Sequence, residues 1–109
     1  MVKVPAEVYI VGKWWELVEA TDILDEHDEL GKTVGETCRI SYSGKQDEQQ
    51  LRDTVWHEIK HAIFQEVGLS NELKEKEDLS EEGIIRRLTP VELTVMRENP
   101  DLMKFLLGA

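Results

Sequence analysis

The sequence is poor in several residue types, and each shortage excludes a class of protein. Its 109 residues contain one cysteine, Cys38, which excludes an internal disulfide and a zinc site built from several cysteines. Basic residues are also scarce, since 13 Lys and Arg stand against 23 Asp and Glu, for a formal net charge of −10. Because nucleic acids and anionic membrane surfaces attract basic proteins, we expect neither as a partner.

Long apolar stretches are absent as well. No run approaches the roughly 20 apolar residues that span a bilayer, and the segment Met1–Pro5 lacks the apolar region of a secretory signal. The length fits a single domain over residues 1–109 with one hydrophobic core. With one cysteine and no secretory signal, we expect the protein in the reducing cytoplasm.

The first part of the chain is typical of strands. Three runs rich in β-branched and aromatic residues predict strands, at residues 7–11, 14–19 and 37–42. The first two can pair as a hairpin. The acidic segment 22–29 is ambiguous between a loop and a short helix, and Gly31 and Gly35 are expected to bracket a turn.

The second part has helical periodicity. Asp47 is the predicted N-cap of a helix from about Glu48 to Val67, which would be roughly 30 Å long. Its apolar residues recur at helical spacing, at Leu51, Val55, Ile59, Ala62, Ile63 and Val67. Strands followed by helices predict an α+β fold, with a small, mostly antiparallel sheet in the N-terminal half packed against this long helix and the C-terminal helices.

Shorter elements are predicted after this helix. Residues 70–78 are strongly charged and are expected to be exposed, as a loop or a frayed helical turn. Ser80 is a predicted N-cap, preceded by Leu79 as a hydrophobic staple. Pro90 predicts a kink or a restart of the following helix, and Asn99-Pro100 predicts its end.

The most informative motif lies in the middle of the long helix. His57-Glu58-Ile59-Lys60-His61 is an H-E-x-x-H sequence. Because residues four apart lie on one face of a helix, both imidazoles can point at a single ion. Glu58 is adjacent to the first ligand, and its carboxylate can reach a metal-bound water as a general base without binding the metal itself. The spacing therefore predicts a zinc site with His57 and His61 as ligands.

A catalytic zinc site needs a third protein ligand and an open position for water. A carboxylate from another helix is the most economical source, and Glu81 and Glu82 follow His61 by about twenty residues. A helical wheel does not decide between them, although it slightly favours Glu81, which lies on the more apolar face. His27, within an acidic segment, is more simply a solvated histidine than a ligand.

The motif also has a plainer interpretation as a solvated helix face, with Glu58 paired to a nearby lysine. Three features oppose it. The histidines flank Ile59 beside the apolar stripe, they are two of only three in the chain, and a candidate carboxylate follows on a separate helix. We therefore take the metal site as the main hypothesis.

Three segments resemble a known family. They are T-V-W-H-E-I-K-H-A-I at 54–63, E-E-G-I-I-R-R-L-T-P at 81–90 and V-M-R-E-N-P at 95–100. They are similar to the segments T-L-x-H-E-x-x-H-A-I, E-E-x-V-V-x-x-L-A-P and V-L-R-D-N-P of small zinc-peptidase-like proteins from phage and prophage genomes. The resemblance covers about half of the chain, residues 51–107, and fits the earlier strands only loosely.

The resemblance implies a minimal gluzincin, a zincin whose third ligand is a glutamate. It places that glutamate at Glu82, so one Zn²⁺ would be held by His57, His61 and Glu82 in a minimal zincin-like fold. It implies a metallopeptidase that hydrolyses a peptide or protein substrate with Glu58 as general base. Its location would be the cytoplasm, that of the host if a phage encodes it.

The sequence departs from other zincins in two ways. The extended metzincin motif is absent, because Phe64 and Val67 stand where it needs glycine and histidine. Arg86 stands four residues after Glu82, where an aspartate could support a histidine ligand.

Two further expectations concern the substrate and the alternatives to an enzyme. A peptide substrate could pair with a sheet edge, and we expect that edge at the strand 37–42. The main alternative is a zinc-stabilised binding protein without turnover, including a latent or degenerate peptidase. A third possibility is an interaction module with an apolar core and no metal.

Overall fold

The fold is α+β in a computed structural model that describes residues 3–75 and 80–108, without the side chains of residues 74 and 75. Its elements in chain order are β1 (Glu7–Ile10), β2 (Lys13–Glu19), α1 (Thr21–Glu26), β3 (Gly31–Val34), a 3-10 turn (Gly35–Thr37), β4 (Arg39–Tyr42), α2 (Glu48–Glu66), α3 (Leu69–Glu75), α4 (Glu81–Glu98) and α5 (Pro100–Leu107). The predicted staple Leu79 lies outside the described residues.

The sheet is mixed, with the strand order β1-β2-β4-β3. Strands β1 and β2 form the predicted antiparallel hairpin, in which Val8 pairs with Trp15. Their turn is formed by Val11 and Gly12, both at positive φ, as a two-residue type I′ turn requires. Strands β3 and β4 are also antiparallel, but β2 and β4 are parallel. The sheet is therefore not antiparallel throughout, because a crossover containing α1 returns the chain to pair alongside β2.

The segment after Gly31 corrects the sequence analysis. The turn expected between Gly31 and Gly35 is wrong, because residues 31–34 form β3, an edge strand. Gly31 lies in this strand where α2 approaches closely, since a Cβ atom there would stand 2.8 Å from Cγ2 of Thr54. The ambiguous segment 22–29 contains the short helix α1.

The helix termini follow the predicted caps. Asp47 accepts a hydrogen bond from the backbone N–H of Gln50 at 2.9 Å, and Ser80 accepts one from Gly83 at 3.0 Å. Helix α4 continues through Pro90, so the predicted restart there does not occur. Asn99 separates α4 from α5, as the Asn-Pro pair predicts.

The hydrophobic core lies between the sheet and helices α2, α4 and α5. Strand side chains alternate between buried and exposed along β2, which is typical of a sheet covered on one face. The largest fully buried side chains among the described residues are Val8, Ile10, Trp15, Ile40, Val55, Ile59, Ile63, Leu69, Val95 and Leu102. Among the described helices, none is long and apolar enough to span a bilayer.

Candidate metal centre

The two histidines of the motif converge on one face of α2. The Nε2 atoms of His57 and His61 are 3.2 Å apart, and the two rings meet edge to face with centroids 4.8 Å apart. In a tetrahedral zinc site with Zn–N bonds of about 2.0–2.1 Å, two ligand nitrogens are about 3.3 Å apart. The separation of the two Nε2 atoms therefore fits two ligands of one zinc ion.

Around the axis of α2, the imidazoles lie between the side that contacts β3 and the side that contacts α4. On one side of them, Glu58 contacts β3 through Thr33. On the other side, Lys60 forms an ion pair with Glu92 of α4 at 3.7 Å. At 3.6 residues per turn, positions 57 and 61 lie between positions 58 and 60 around the helix axis. The His57 side chain is 67% exposed, so the ring is accessible from solvent.

Glu58 is buried although it carries a carboxylate, with 8% of its surface exposed. The Thr33 hydroxyl lies 2.7 Å from Oε1 of Glu58 and 3.0 Å from its backbone carbonyl oxygen. The other carboxylate oxygen, Oε2, lies 3.9 Å from Nε2 of His57. The carboxylate therefore has one oxygen held by the edge strand and the other 3.9 Å from the His57 ring nitrogen.

A cavity of about 440 Å³ adjoins this group. His57, Glu58, Gly31 and Asp53 are among the residues that line it. A larger cavity of about 720 Å³ lies between the N-terminal segment and α5, but its lining includes no residue of the motif. We place the site at the smaller cavity, because it adjoins the convergent nitrogens and the buried carboxylate.

The structure does not bring Glu82 to the histidines. Glu82 lies in the first turn of α4, where its exposed side chain is 3.4 Å from Arg86. Glu92 of α4 forms an ion pair with Lys60, the neighbour of His61 in the sequence, and it lies ten residues and about 15 Å of helix beyond Glu82. Within residues 3–75 and 80–108, no third His, Cys, Asp or Glu completes a metal-binding group. Glu82 as third ligand therefore stays a prediction.

Sequence reasoning missed Thr33 and Gly31. Thr33 contacts Glu58 across 25 positions of sequence, and no spacing rule links a strand residue to a helix residue that far away. Gly31 carried a signal, but two glycines four residues apart, Gly31 and Gly35, are more typical of a turn. His27 is exposed at the end of α1, consistent with a solvated histidine.

No protein-family model, curated protein or solved structure matches this chain. The functional case therefore depends on the arrangement around α2. That arrangement offers two imidazole nitrogens at the spacing of ligands, a buried carboxylate 3.9 Å from one of them, and an adjacent cavity. Groups of this kind can bind a divalent cation and transfer a proton next to it.

Proposed function

We propose that this protein is a zinc-dependent metallopeptidase in which His57 and His61 bind the metal and Glu58 is the general base. The observation that carries the proposal is the 3.2 Å separation of the two Nε2 atoms beside a buried carboxylate. Imidazole and carboxylate ligands suit zinc among the divalent ions. Bound zinc would supply a Lewis acid and a water of lowered pKa.

The role of Glu58 follows from its two oxygens. Thr33 occupies Oε1, so Oε2 is the oxygen available for proton transfer near the imidazoles. At Oε2, Glu58 accepts a proton from the water that attacks the scissile carbonyl, and it passes this proton to the leaving amine as the C–N bond breaks. Only 8% of the Glu58 surface is exposed, and Oε2 lies 3.9 Å from Nε2 of His57, so the oxygen that exchanges the proton is next to a proposed zinc ligand.

The third ligand proposed is Glu82, as the family resemblance implies, with Glu81 as the alternative beside it. Coordination by either side chain requires the first turn of α4 to lie nearer to the imidazoles than it does in this structure. Both carboxylates are exposed, so neither is committed to the hydrophobic core.

The proposed substrate is an extended peptide on the outer edge of β3. The expected edge at residues 37–42 is wrong, because β4 lies inside the sheet between β2 and β3. The N–H of Ser43 bonds to the carbonyl of Leu30 in the register of the β3–β4 pair. Hydrogen-bonded pairs alternate in antiparallel strands, so the N–H and C=O groups of Gly31 and Thr33 point away from β4. These groups can pair with a peptide strand beside Glu58.

A second candidate is a zinc-stabilised binding protein without turnover. Its ground is that the described part of the chain groups two candidate ligands, whereas a catalytic zinc site uses three. The two candidates differ in one measurable property, since only the peptidase cleaves peptide bonds.

The test compares Glu58→Gln with Glu48→Gln, an exposed glutamate on the same helix. The parent protein is loaded with zinc and incubated with an unfolded protein substrate, and cleavage and zinc content are both measured. We expect Glu58→Gln to keep stoichiometric zinc and to lose about 10²–10⁴-fold in rate, the usual contribution of a general base. We expect Glu48→Gln to match the parent.

Other results have distinct meanings in the same experiment. Cleavage by Glu58→Gln at the parental rate removes Glu58 as the base. Stoichiometric zinc without any cleavage by the parent supports the binding protein. Weaker zinc binding by Glu82→Gln, but not by Glu81→Gln, identifies the third ligand.

A further inference from the structure

We propose that Thr33 is a positioning residue for the general base, in that its hydroxyl fixes the Glu58 carboxylate so that Oε2 faces the imidazoles. This inference rests on the proposed function, since it assigns a role in that same reaction. It starts from one contact between the edge strand and the motif helix, the 2.7 Å separation of Oγ1 of Thr33 and Oε1 of Glu58.

The Thr33 hydroxyl ties the Glu58 side chain to its own backbone. Oγ1 lies between the carboxylate and the backbone carbonyl of Glu58, at 2.7 and 3.0 Å. A hydroxyl has a single proton to donate, and an ionised carboxylate accepts the stronger hydrogen bond. A glutamate side chain has three rotatable bonds, so an anchor on Oε1 removes most of the freedom of Oε2.

The space for this contact is made by Gly31. Gly31 and Thr33 are two residues apart on β3, so their Cα–Cβ directions share the face turned to α2. A Cβ on Gly31 would stand 3.0 Å from Cγ and 3.1 Å from Oε2 of Glu58. The Glu58 carboxylate therefore lies against Gly31, where the strand has no side chain, and is held by Thr33, the next residue on the same face of β3.

The position of Thr33 also links the base to the proposed substrate. Its backbone groups point outward from β4, towards the edge on which a peptide would pair. Its side chain points instead to α2 and holds the base. One residue would then set the distance between a paired peptide and Oε2, which favours catalysis by fixing the geometry of the reacting groups.

The decisive experiment replaces the hydroxyl while keeping the shape of the side chain. Thr33→Val should lower kcat about 10- to 100-fold and leave KM within about twofold, because it changes the orientation of the base and not the strand edge. Thr33→Ser restores the hydroxyl and should return kcat to within about threefold of the parent. The matched control is Thr94→Val, which removes an exposed hydroxyl that donates to the backbone carbonyl of Pro90 within α4, and it should leave kcat unchanged.

A second measurement is independent of activity. The unfolding equilibrium is measured for Thr33→Val, Glu58→Ala and the double variant, and the coupling between the two sites is taken from the cycle. We expect a coupling of at least about fivefold in the unfolding constant. Zinc affinity should be the same in the parent and in Thr33→Val.

The outcomes separate this inference from the proposed function. If the parent is active and Thr33→Val keeps the parental kcat, the positioning role is overturned. It is also overturned if Thr33→Ser does not restore kcat. In both cases the peptidase proposal stands. A coupling near onefold overturns it as well, whatever the activity. A zinc-loaded parent that cleaves nothing overturns the peptidase, and the coupling then shows only whether Thr33 holds the carboxylate.

Discussion

Replacing Gly31 by alanine adds a methyl group where β3 lies against the motif helix. The new Cβ would stand 2.8 Å from Cγ2 of Thr54 and 3.0 Å from Cγ of Glu58, whereas carbon atoms pack best at about 3.5–4.0 Å. Either β3 moves away from α2 or Glu58 rotates. Overpacking of this size costs about 1–3 kcal/mol of unfolding free energy, and a displacement of the base by about 1 Å lowers kcat about 10²-fold.

The assay for Gly31→Ala combines urea unfolding, zinc titration and peptide hydrolysis. Zinc affinity should not change, because the atoms nearest to the new Cβ belong to Thr54 and Glu58, and neither residue is a proposed zinc ligand. Lys32→Ala is the control, since its exposed side chain lies next to Gly31 on the opposite face of the strand.

A second substitution separates the two contacts of the new methyl group. Thr54→Ser removes Cγ2 but keeps the hydroxyl that bonds to Gln46. Added to Gly31→Ala, it should recover part of the stability without recovering kcat, because the contact with Glu58 remains. The reasoning is refuted if Gly31→Ala unfolds and cleaves like the parent, or if zinc affinity falls in step with kcat.

Two further predictions concern stability. Asn99 is 7% exposed, exchanges hydrogen bonds with both backbone groups of Tyr9 and donates to the carbonyl of Val95. Asn99→Ala should therefore lower the free energy of unfolding by about 2–4 kcal/mol, measured by urea unfolding. An unchanged urea midpoint contradicts this account. Burial and the nearby charge of Glu19 raise the pKa of Tyr42 above its ordinary value of 10.0. A raised pKa means that folding favours the protonated Tyr42 hydroxyl. This contribution to the free energy of unfolding is fully present below pH 10.0 and is lost as the pH rises through the pKa of Tyr42 in the folded state. Urea unfolding between pH 8 and 11 should show a steeper loss for the parent than for Tyr42→Phe, and equal slopes would remove Tyr42 as the cause.

Much of the fold followed from local patterns in the sequence. The caps at Asp47 and Ser80 and the hairpin of β1 and β2 lie where predicted, because each depends on residues a few positions apart. The edge strand β3 was missed, since four residues beginning with glycine carry too few β-branched side chains to outweigh the turn signal. The parallel pairing of β2 with β4 was also missed, because no local pattern reports which strands become neighbours.

The convergence of His57 and His61 was determined by the sequence alone, since a spacing of four in a helix brings two side chains to one face whatever surrounds the helix. The environment of Glu58 was decided only by the tertiary structure. Thr33 and Gly31 reach its carboxylate because the chain crosses over through α1 and places β3 against α2. The placement of Glu82 also depends on how α4 packs, which helical periodicity does not specify. Local spacing fixes which side chains share a face, whereas the neighbours of that face depend on contacts between distant segments.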